Sequence, residues 1–222
     1  MSIELNAETQ VVPDALTGVP WRVYRQLRRI PEMRNRRMTY LDGTLIIILP
    51  EYTHENSEDL LGMIFRAVAG ASDVPYCSAR ATTLSRKGSK PKKGSGKEPD
   101  TSFYVGPNVK RVKGKATIDL KVDPPPDITV EVVNKSDSVL ALPLYARFGV
   151  PEVWVYHARK ETIWFGRLDG SEYVSLDRSL CLPRLTPALA LHALAAYRDH
   201  EDEGSWYSWL QEWARALPLP PT

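Results

Sequence analysis

The sequence contains little cysteine, no long hydrophobic run and almost no excess charge of either sign. Its two cysteines, Cys77 and Cys181, are isolated, which argues against a disulfide framework or a zinc ribbon and fits a reducing compartment. The longest aliphatic run, Leu45 to Leu49, is too short to span a membrane, and the first twelve residues lack the apolar centre of a secretion signal. We therefore expect a cytoplasmic protein with no membrane partner.

The common catalytic motifs are also missing. The chain has no Gly-x-x-x-x-Gly-Lys phosphate loop, no Gly-x-Ser-x-Gly nucleophile turn, no His-Glu-x-x-His metal motif and no Gly-x-Gly-x-x-Gly dinucleotide fingerprint. Any chemistry must therefore come from residues that are scattered along the chain.

Positive charge is concentrated in two segments, although the chain of 222 residues has 29 Lys and Arg against 27 Asp and Glu. Seven arginines lie between Trp21 and Arg37, and twelve Lys or Arg lie between Arg80 and Lys121 with only three acids among them. Such blocks are typical of a solvated face and equally of a surface that binds a polyanion. On the second interpretation the contacts to nucleic acid are Arg86, Lys87, Lys90, Lys92, Lys93 and Lys97. Because residues 86–97 are rich in Lys and Gly and lack large apolar side chains, they are predicted to form a mobile loop.

The apolar pattern predicts an α/β or α+β fold: a central mixed sheet flanked by helices, with added antiparallel hairpins. Asp-Gly pairs at 42–43 and 169–170 indicate hairpin turns, and residues 128–133 are typical of a buried strand. The predicted organisation is a loose arm over residues 1–18, a main domain over 19–200 and a Trp-rich helical tail over 201–222. The tryptophans of the tail share one helical face, which would pack on the core or on a second subunit of a homodimer.

Two carboxylates lie in apolar strand contexts. Asp100 precedes the apolar stretch 103–105, and Glu131 lies among the valines of the strand 128–133. A carboxylate in a strand interior is costly unless it has a cation, hydrogen bonds or solvent. Either each acid faces solvent at a strand edge, or the two converge into a site for a hard cation such as Mg²⁺, which binds one or two carboxylates together with waters and substrate phosphates.

Five motifs occur in an order that resembles a known family. They are Tyr-Leu-Asp42-Gly-Thr-Leu, His54 opening the next helix, Glu98-Pro-Asp100, Pro-Asp-Ile-Thr-Val-Glu131-Val, and Leu-Tyr-Ala-Arg-Phe-Gly-Val-Pro-Glu-Val-Trp-Val at 144–155. Over residues 19–197 the chain resembles the large bacterial family of putative restriction endonucleases, a domain of unknown function in the PD-(D/E)XK nuclease superfamily. The resemblance implies a restriction-endonuclease-like fold and cleavage of DNA phosphodiester bonds that depends on Mg²⁺, with Mn²⁺ as an alternative ion.

The resemblance also implies roles for individual residues. Asp100, Glu131 and the backbone carbonyl of Val132 are the implied metal ligands, and the supporting residues are Asp42, His54 and Glu98. The superfamily normally has a lysine two residues after the glutamate, where this chain has Val133. In this family the lysine usually lies on the following helix instead, where this chain has Ala141. The glutamate expected before the Asp-Gly turn is replaced by Thr39.

Lys135 is the predicted substitute for the missing lysine. It shares the strand parity of Glu131 and lies roughly 7 Å beyond the Val133 position at about 3.3 Å per residue, a distance that a lysine side chain spans. A lysine with no role at a strand end is the equally open alternative. Glu55 or Glu58 would replace the missing acid. Three functions stay open: a Mg²⁺-dependent endonuclease, an inactive relative that binds nucleic acid, and a protein-interaction module.

Overall fold

The computed structural model describes residues 15–33, 36–48, 52–133 and 140–219. For residues 52–55 it describes the backbone alone. The α-helices of these ranges are Trp21–Leu27 (α1), Tyr52–Ala71 (α2), Pro107–Val112 (α3), Ala141–Phe148 (α4), Pro187–Ala196 (α5) and Glu203–Ala216 (α6). The strands are Arg37–Leu41 (β1), Thr44–Ile48 (β2), Tyr76–Ser78 (β3), Leu84–Lys87 (β4), Gly94–Lys97 (β5), Thr101–Val105 (β6), Ile128–Val133 (β7), Glu152–His157 (β8), Thr162–Asp169 (β9) and Glu172–Ser175 (β10). None of the helices in these ranges is both long enough and apolar enough to cross a membrane.

The strands form two sheets. The small sheet has the order β2-β1-β5-β4 and the large sheet has the order β10-β9-β8-β7-β6-β3. In the large sheet β7 and β8 are parallel and the other described pairs are antiparallel. The α+β class, with a mixed sheet, flanking helices and antiparallel hairpins, is therefore confirmed.

Local sequence explains the turns that join these strands. Asp42 and Gly43 both have positive φ, 46° and 101°, which suits the tight turn between β1 and β2. Helix α4 ends at Gly149, whose φ of 81° lets its N–H bond back to the carbonyls of Tyr145 and Ala146. The short helix α4 thus connects the parallel strands β7 and β8.

The two faces of the large sheet have different partners. Ile128, Val130 and Val132 of β7 belong to a core shared with α2, α5 and α6. Because side chains alternate along a strand, Glu131 points to the opposite face. That face is covered by α4 and by residues of the small sheet, which form a second core with Val153 of β8. The acid of β7 therefore lies between the two sheets.

Residues 86–97, which the sequence predicts to be a mobile loop, instead belong largely to the hairpin of β4 and β5. Leu84 pairs with Lys97, and Lys87 pairs with Gly94. The loop prediction was wrong for β5, which is buried by side chains that α1 supplies, whereas residues 86, 87 and 89–93 are exposed. Its glycines lie directly against aromatic rings of α1, so that a Cβ atom on Gly96 would overlap Tyr24.

The segments near the two ends of the described chain pack on the sheets and the core. Leu16, within the predicted loose arm, exchanges backbone hydrogen bonds with Leu45 at 2.9 and 2.8 Å, whereas residues 1–14 lie outside the described ranges. Helix α6 packs on the first core through Trp206, which is fully buried and donates from its indole N–H to the Ala193 carbonyl at 3.0 Å. The tail predicted from its tryptophans is therefore docked on the body of the protein.

Candidate active site

The register of β6 and β7 brings two carboxylates together. Thr101 pairs with Val130, so the next step of the same antiparallel register places Asp100 opposite Glu131. Opposed residues of such a pair have their side chains on the same face. The Val132 N–H donates to Asp100 Oδ2 at 2.7 Å, which fixes the aspartate against β7. Both residues are buried, with 4% of Asp100 and 5% of Glu131 exposed.

Glu131 is held from the small sheet and from α4 at the same time. Its Oε2 lies 2.8 Å from the Nζ of Lys97, the last residue of β5. Its Oε1 accepts a hydrogen bond from the hydroxyl of Tyr145 on α4. Only 7% of Lys97 is exposed, and its Nζ lies 5.8 Å from the centre of the Tyr145 ring. Lysine, glutamate and tyrosine therefore form one buried cluster.

Arg37 approaches the cluster from the other side. Its guanidinium lies 3.7 Å from Asp100 Oδ1 and donates to the Pro99 carbonyl at 3.0 Å. A second nitrogen of the same guanidinium lies 2.6 Å from Glu58 Oε2. Arg37 thus connects the first strand of the small sheet and helix α2 to Asp100.

Burial controls the protonation of the cluster. Burial raises the pKa of Glu131; Lys97 lowers this pKa and Asp100 raises it, and the net direction is upward. Burial together with the charge of Glu131 raises the pKa of Tyr145 well above its usual value, so the phenol stays a hydrogen-bond donor. The negative charge of Asp100 and Glu131 is faced by two cations, those of Lys97 and Arg37.

The donor set fits a hard divalent cation. Asp100 and Glu131 supply two carboxylates at one place, as Mg²⁺ requires when waters and substrate phosphates complete its coordination. Within the described ranges, no group of three or more His, Cys, Asp or Glu side chains is arranged to hold an ion. Two carboxylates are oxygen donors of the kind that Mg²⁺ takes, whereas structural Zn²⁺ takes four protein ligands.

Asp42 and Glu98, predicted as supporting residues, lie beside the cluster and not in it. Asp42 carboxylate oxygens lie 3.0 Å from Lys93 Nζ and 3.1 Å from the guanidinium of Arg147, and one accepts from the Gly94 N–H at 3.0 Å. Partial burial acts to raise the pKa of Asp42, but these donors lower it to about 2. Glu98 pairs with Arg28 of α1. Both acids hold the β4 and β5 hairpin in place and so position Lys97.

Other predicted residues have no described place in the site. Lys135 lies outside the described ranges, and so do the side chains of His54 and Glu55. Val133 and Ala141, the two expected lysine positions, are both buried. Thr39 is also buried and is the β1 partner of Lys97 in the small sheet.

The residues predicted to contact nucleic acid fall into two groups. Those that are exposed on the hairpin are Arg86, Lys87, Lys90, Lys92 and Lys93. Lys97 is buried against Glu131, so its placement on the surface was wrong. Lys97 faces inward because side chains alternate along β5 and this one lies on the face that packs toward Glu131.

Sequence reasoning missed Arg37 and Tyr145 and gave Lys97 a different role. Tyr145 lies inside one of the five motifs, and Lys97 directly precedes another, Glu98-Pro-Asp100. Those positions were the available signal. The sequence around Arg37 gave no comparable signal, because the contact of Arg37 with Asp100 depends on how the two sheets dock.

Comparisons with known proteins agree with the motifs. A family model described as Uma2, putative restriction endonuclease, matches residues 22–196, close to the range of the resemblance. None of the curated proteins matches significantly. Among solved structures, a putative nuclease belonging to DUF820 from Anabaena variabilis ATCC 29413 is similar, with a TM-score of 0.43 and 16% identity over 78% of this chain and 90% of that one.

Proposed function

The chain belongs to the Uma2 family of putative restriction endonucleases, and on that premise we propose that it is a Mg²⁺-dependent endonuclease that hydrolyses DNA phosphodiester bonds. The observation that carries the proposal is the buried ion pair of Lys97 and Glu131 beside Asp100. The family pattern expects a lysine at Val133 or Ala141, and this chain has none there. Lys97 of β5 would supply the missing ammonium group from a different strand.

Asp100, Glu131 and the Val132 carbonyl are the residues that would hold the ion. When bound, Mg²⁺ lowers the pKa of a water molecule and offsets the charge that develops on the phosphate. The ammonium of Lys97 attracts the attacking water and stabilises negative charge at the same place. Tyr145 orients the carboxylate of Glu131 through its hydrogen bond, and Arg37 orients that of Asp100.

Lys97 takes the role that the sequence assigned to Lys135. Its Nζ lies within ion-pair distance of the glutamate, and its low exposure keeps the charge in a poorly screened environment, where electrostatic interactions are stronger. The exposed lysines of the hairpin, among them Lys90 and Lys92, would attract the DNA backbone toward the site.

Plasmid cleavage in Mg²⁺ or Mn²⁺ tests the proposal. Glu131→Gln and Lys97→Met are each expected to lower the cleavage rate by roughly a hundredfold or more, which is typical for loss of one preorganised electrostatic group. Lys135→Met and the exposed Lys121→Met serve as controls and are expected to cleave as the wild type does. EDTA is expected to stop cleavage by all variants.

The outcomes separate the alternatives. Cleavage by Glu131→Gln at the wild-type rate would show that the assigned site is wrong. Loss of cleavage in Lys135→Met but not in Lys97→Met would return the catalytic role to Lys135. A wild type that binds DNA and cleaves it with neither ion would identify an inactive relative with a binding function.

A further inference from the structure

A cleft of about 420 Å³ lies at the edge of the large sheet, between α2 and the end of β3. Its lining residues are Glu58, Asp59, Arg66, Ser78, Arg80 and Ala81. Of these, the sequence had singled out only Glu58, as a candidate for the missing acid. The cleft is distinct from the buried carboxylates. Arg37 links the two, because it pairs with Glu58 of the cleft and lies 3.7 Å from Asp100.

Strand register places the cleft beside Asp100. Ser78 pairs with Phe103 in the antiparallel β3 and β6 pair, and the chain continues alongside β6 toward Asp100. The Ala79 N–H donates to the Ser102 carbonyl at 2.9 Å, and the Ser102 hydroxyl donates to the Arg80 carbonyl at 2.8 Å. Arg80 therefore lies at the same end of the sheet as Asp100, only one or two residues away along β6.

The cleft has the chemistry of an anion site. Arg66 approaches from α2, with its guanidinium 5.7 Å from the centre of the Phe103 ring, and Arg80 is exposed at the opposite wall. The Ser78 hydroxyl is buried and, among the described residues, has no hydrogen-bond partner. Two guanidinium groups and one hydroxyl donor are suitable for the oxygens of a phosphodiester.

The carboxylates of the cleft do not cancel this positive charge. Glu58 is already paired with Arg37 at 2.6 Å. Asp59 is mostly exposed and lies 4.0 Å from Arg66, at the limit of an ion pair, where exposed pairs are weak. Among the lining residues, Arg66 and Arg80 therefore face Asp59, the one lining acid that is not already paired with Arg37.

We infer that this cleft binds a backbone phosphate of the DNA strand next to the scissile one, between Arg66 and Arg80. The inference rests on the proposed nuclease function, because it identifies where the strand enters the site of Asp100 and Glu131. Phosphate contacts of this kind fix the register of the nucleic acid and make affinity depend on salt.

The test is DNA binding by fluorescence anisotropy at several salt concentrations, in EDTA so that no strand is cut. With duplex DNA, Arg66→Gln and Arg80→Gln are each expected to reduce the slope of log affinity against log salt by about 0.9, and with single strands by about 0.7. Arg66→Lys and Arg80→Lys keep the charge and are expected to keep the slope. Arg167→Gln, an exposed arginine at the other end of the sheet, is the matched control.

An unchanged slope in the double variant Arg66→Gln/Arg80→Gln, with a wild-type melting temperature, would overturn the inference. An equal loss in Arg167→Gln would also overturn it, because the effect would then reflect net charge alone. If the wild type cleaves DNA while these arginines do not affect binding, only the cleft assignment fails. If these arginines support binding while the wild type cleaves DNA with neither ion, only the catalytic proposal fails.

Discussion

At the scale of single residues, the central feature is an ion pair that is almost completely removed from water. The Nζ of Lys97 and the carboxylate of Glu131 lie 2.8 Å apart, and Tyr145 donates a hydrogen bond to the same carboxylate. Burying either charge alone costs several kcal/mol, which only the partner and the surrounding hydrogen bonds offset. Removing one partner of the pair is therefore expected to destabilise the fold, in addition to any effect on the proposed chemistry.

This coupling predicts the stability of variants. At pH 7, Lys97→Met is expected to lower the free energy of unfolding by about 3–5 kcal/mol, because it leaves a buried carboxylate without its cation. The double variant Lys97→Met/Glu131→Gln is expected to lose less than the sum of the two single losses. Urea denaturation of the four proteins measures the difference, and additivity within about 0.5 kcal/mol would show that the pair is not coupled.

The same variant has a predictable pH dependence. The pKa of Glu131 is raised in the folded protein, so the contribution of this group to stability is present at low pH and is lost as the pH rises through that pKa. Loss of Lys97 removes an influence that lowers the pKa. The deficit of Lys97→Met relative to wild type is therefore expected to be smaller at pH 5 than at pH 8, and a constant deficit in urea denaturation would contradict this.

The sequence identified the carboxylates but not their partners. Asp100 and Glu131 were detectable because an acid between apolar strand residues is costly to bury unless it has a cation, hydrogen bonds or solvent. Lys97, by contrast, lies in a Lys-rich and Gly-rich segment, where its composition resembles that of its exposed neighbours. Only the pairing of β5 with β1 and β4 separates this lysine from the others, and strand pairing over such a distance has no local signal.

At the scale of elements, the β4 and β5 hairpin depends on close packing of its backbone. Gly94 and Gly96 lie against the rings of Trp21 and Tyr24, which also contact each other with ring centres 5.0 Å apart. Glycine here allows the approach of an aromatic ring and does not indicate flexibility. The composition of residues 86–97 could not reveal this, because the apolar surface comes from α1.

Gly96→Ala is expected to destabilise the protein by about 1–3 kcal/mol, since the added methyl group would overlap the buried ring of Tyr24. Gly70→Ala, in helix α2 with no atom near the new methyl group, is the control and is expected to gain about 0.5–1 kcal/mol. Thermal unfolding of both variants measures the contrast. Equal stability of Gly96→Ala and the wild type would show that the hairpin does not pack on α1 in this way.

Elements with strong local patterns were predictable. The β1 and β2 hairpin follows from Asp42-Gly43, and β7 follows from its β-branched residues. The short strands β4 and β5 were not, because neither has the alternation of apolar and polar residues that identifies a half-buried strand.

At the scale of the whole molecule, the last helix completes the core. Trp206 of α6 is fully buried and hydrogen-bonded to Ala193, whereas Trp209 and Trp213 are partly exposed with their rings stacked 5.8 Å apart. Trp206→Ala is expected to lower the free energy of unfolding by about 3–5 kcal/mol. Trp209→Ala is expected to lose only about 1 kcal/mol, because less apolar surface is buried. Chemical denaturation that gave equal losses for both would contradict this docking of α6.

Positive charge is concentrated locally on the surface of the molecule. The net charge of +2 conceals a surface with exposed lysines on one hairpin and arginines in the cleft beside Asp100. Near-neutral overall charge is therefore compatible with a polyanionic substrate, provided that the binding face is local.

The carboxylates and the lysine of the candidate site belong to different sheets. Asp100 and Glu131 are fixed by the pairing of β6 with β7, whereas Lys97 arrives only when the small sheet docks. A native-state opening that released the small sheet alone would leave both acids in register and separate them from Lys97 without global unfolding. Amide hydrogen exchange would then report the opening of β1 and β5 at a lower free energy than that of β7, and that local equilibrium would set the fraction of molecules in which Lys97 and Glu131 are paired.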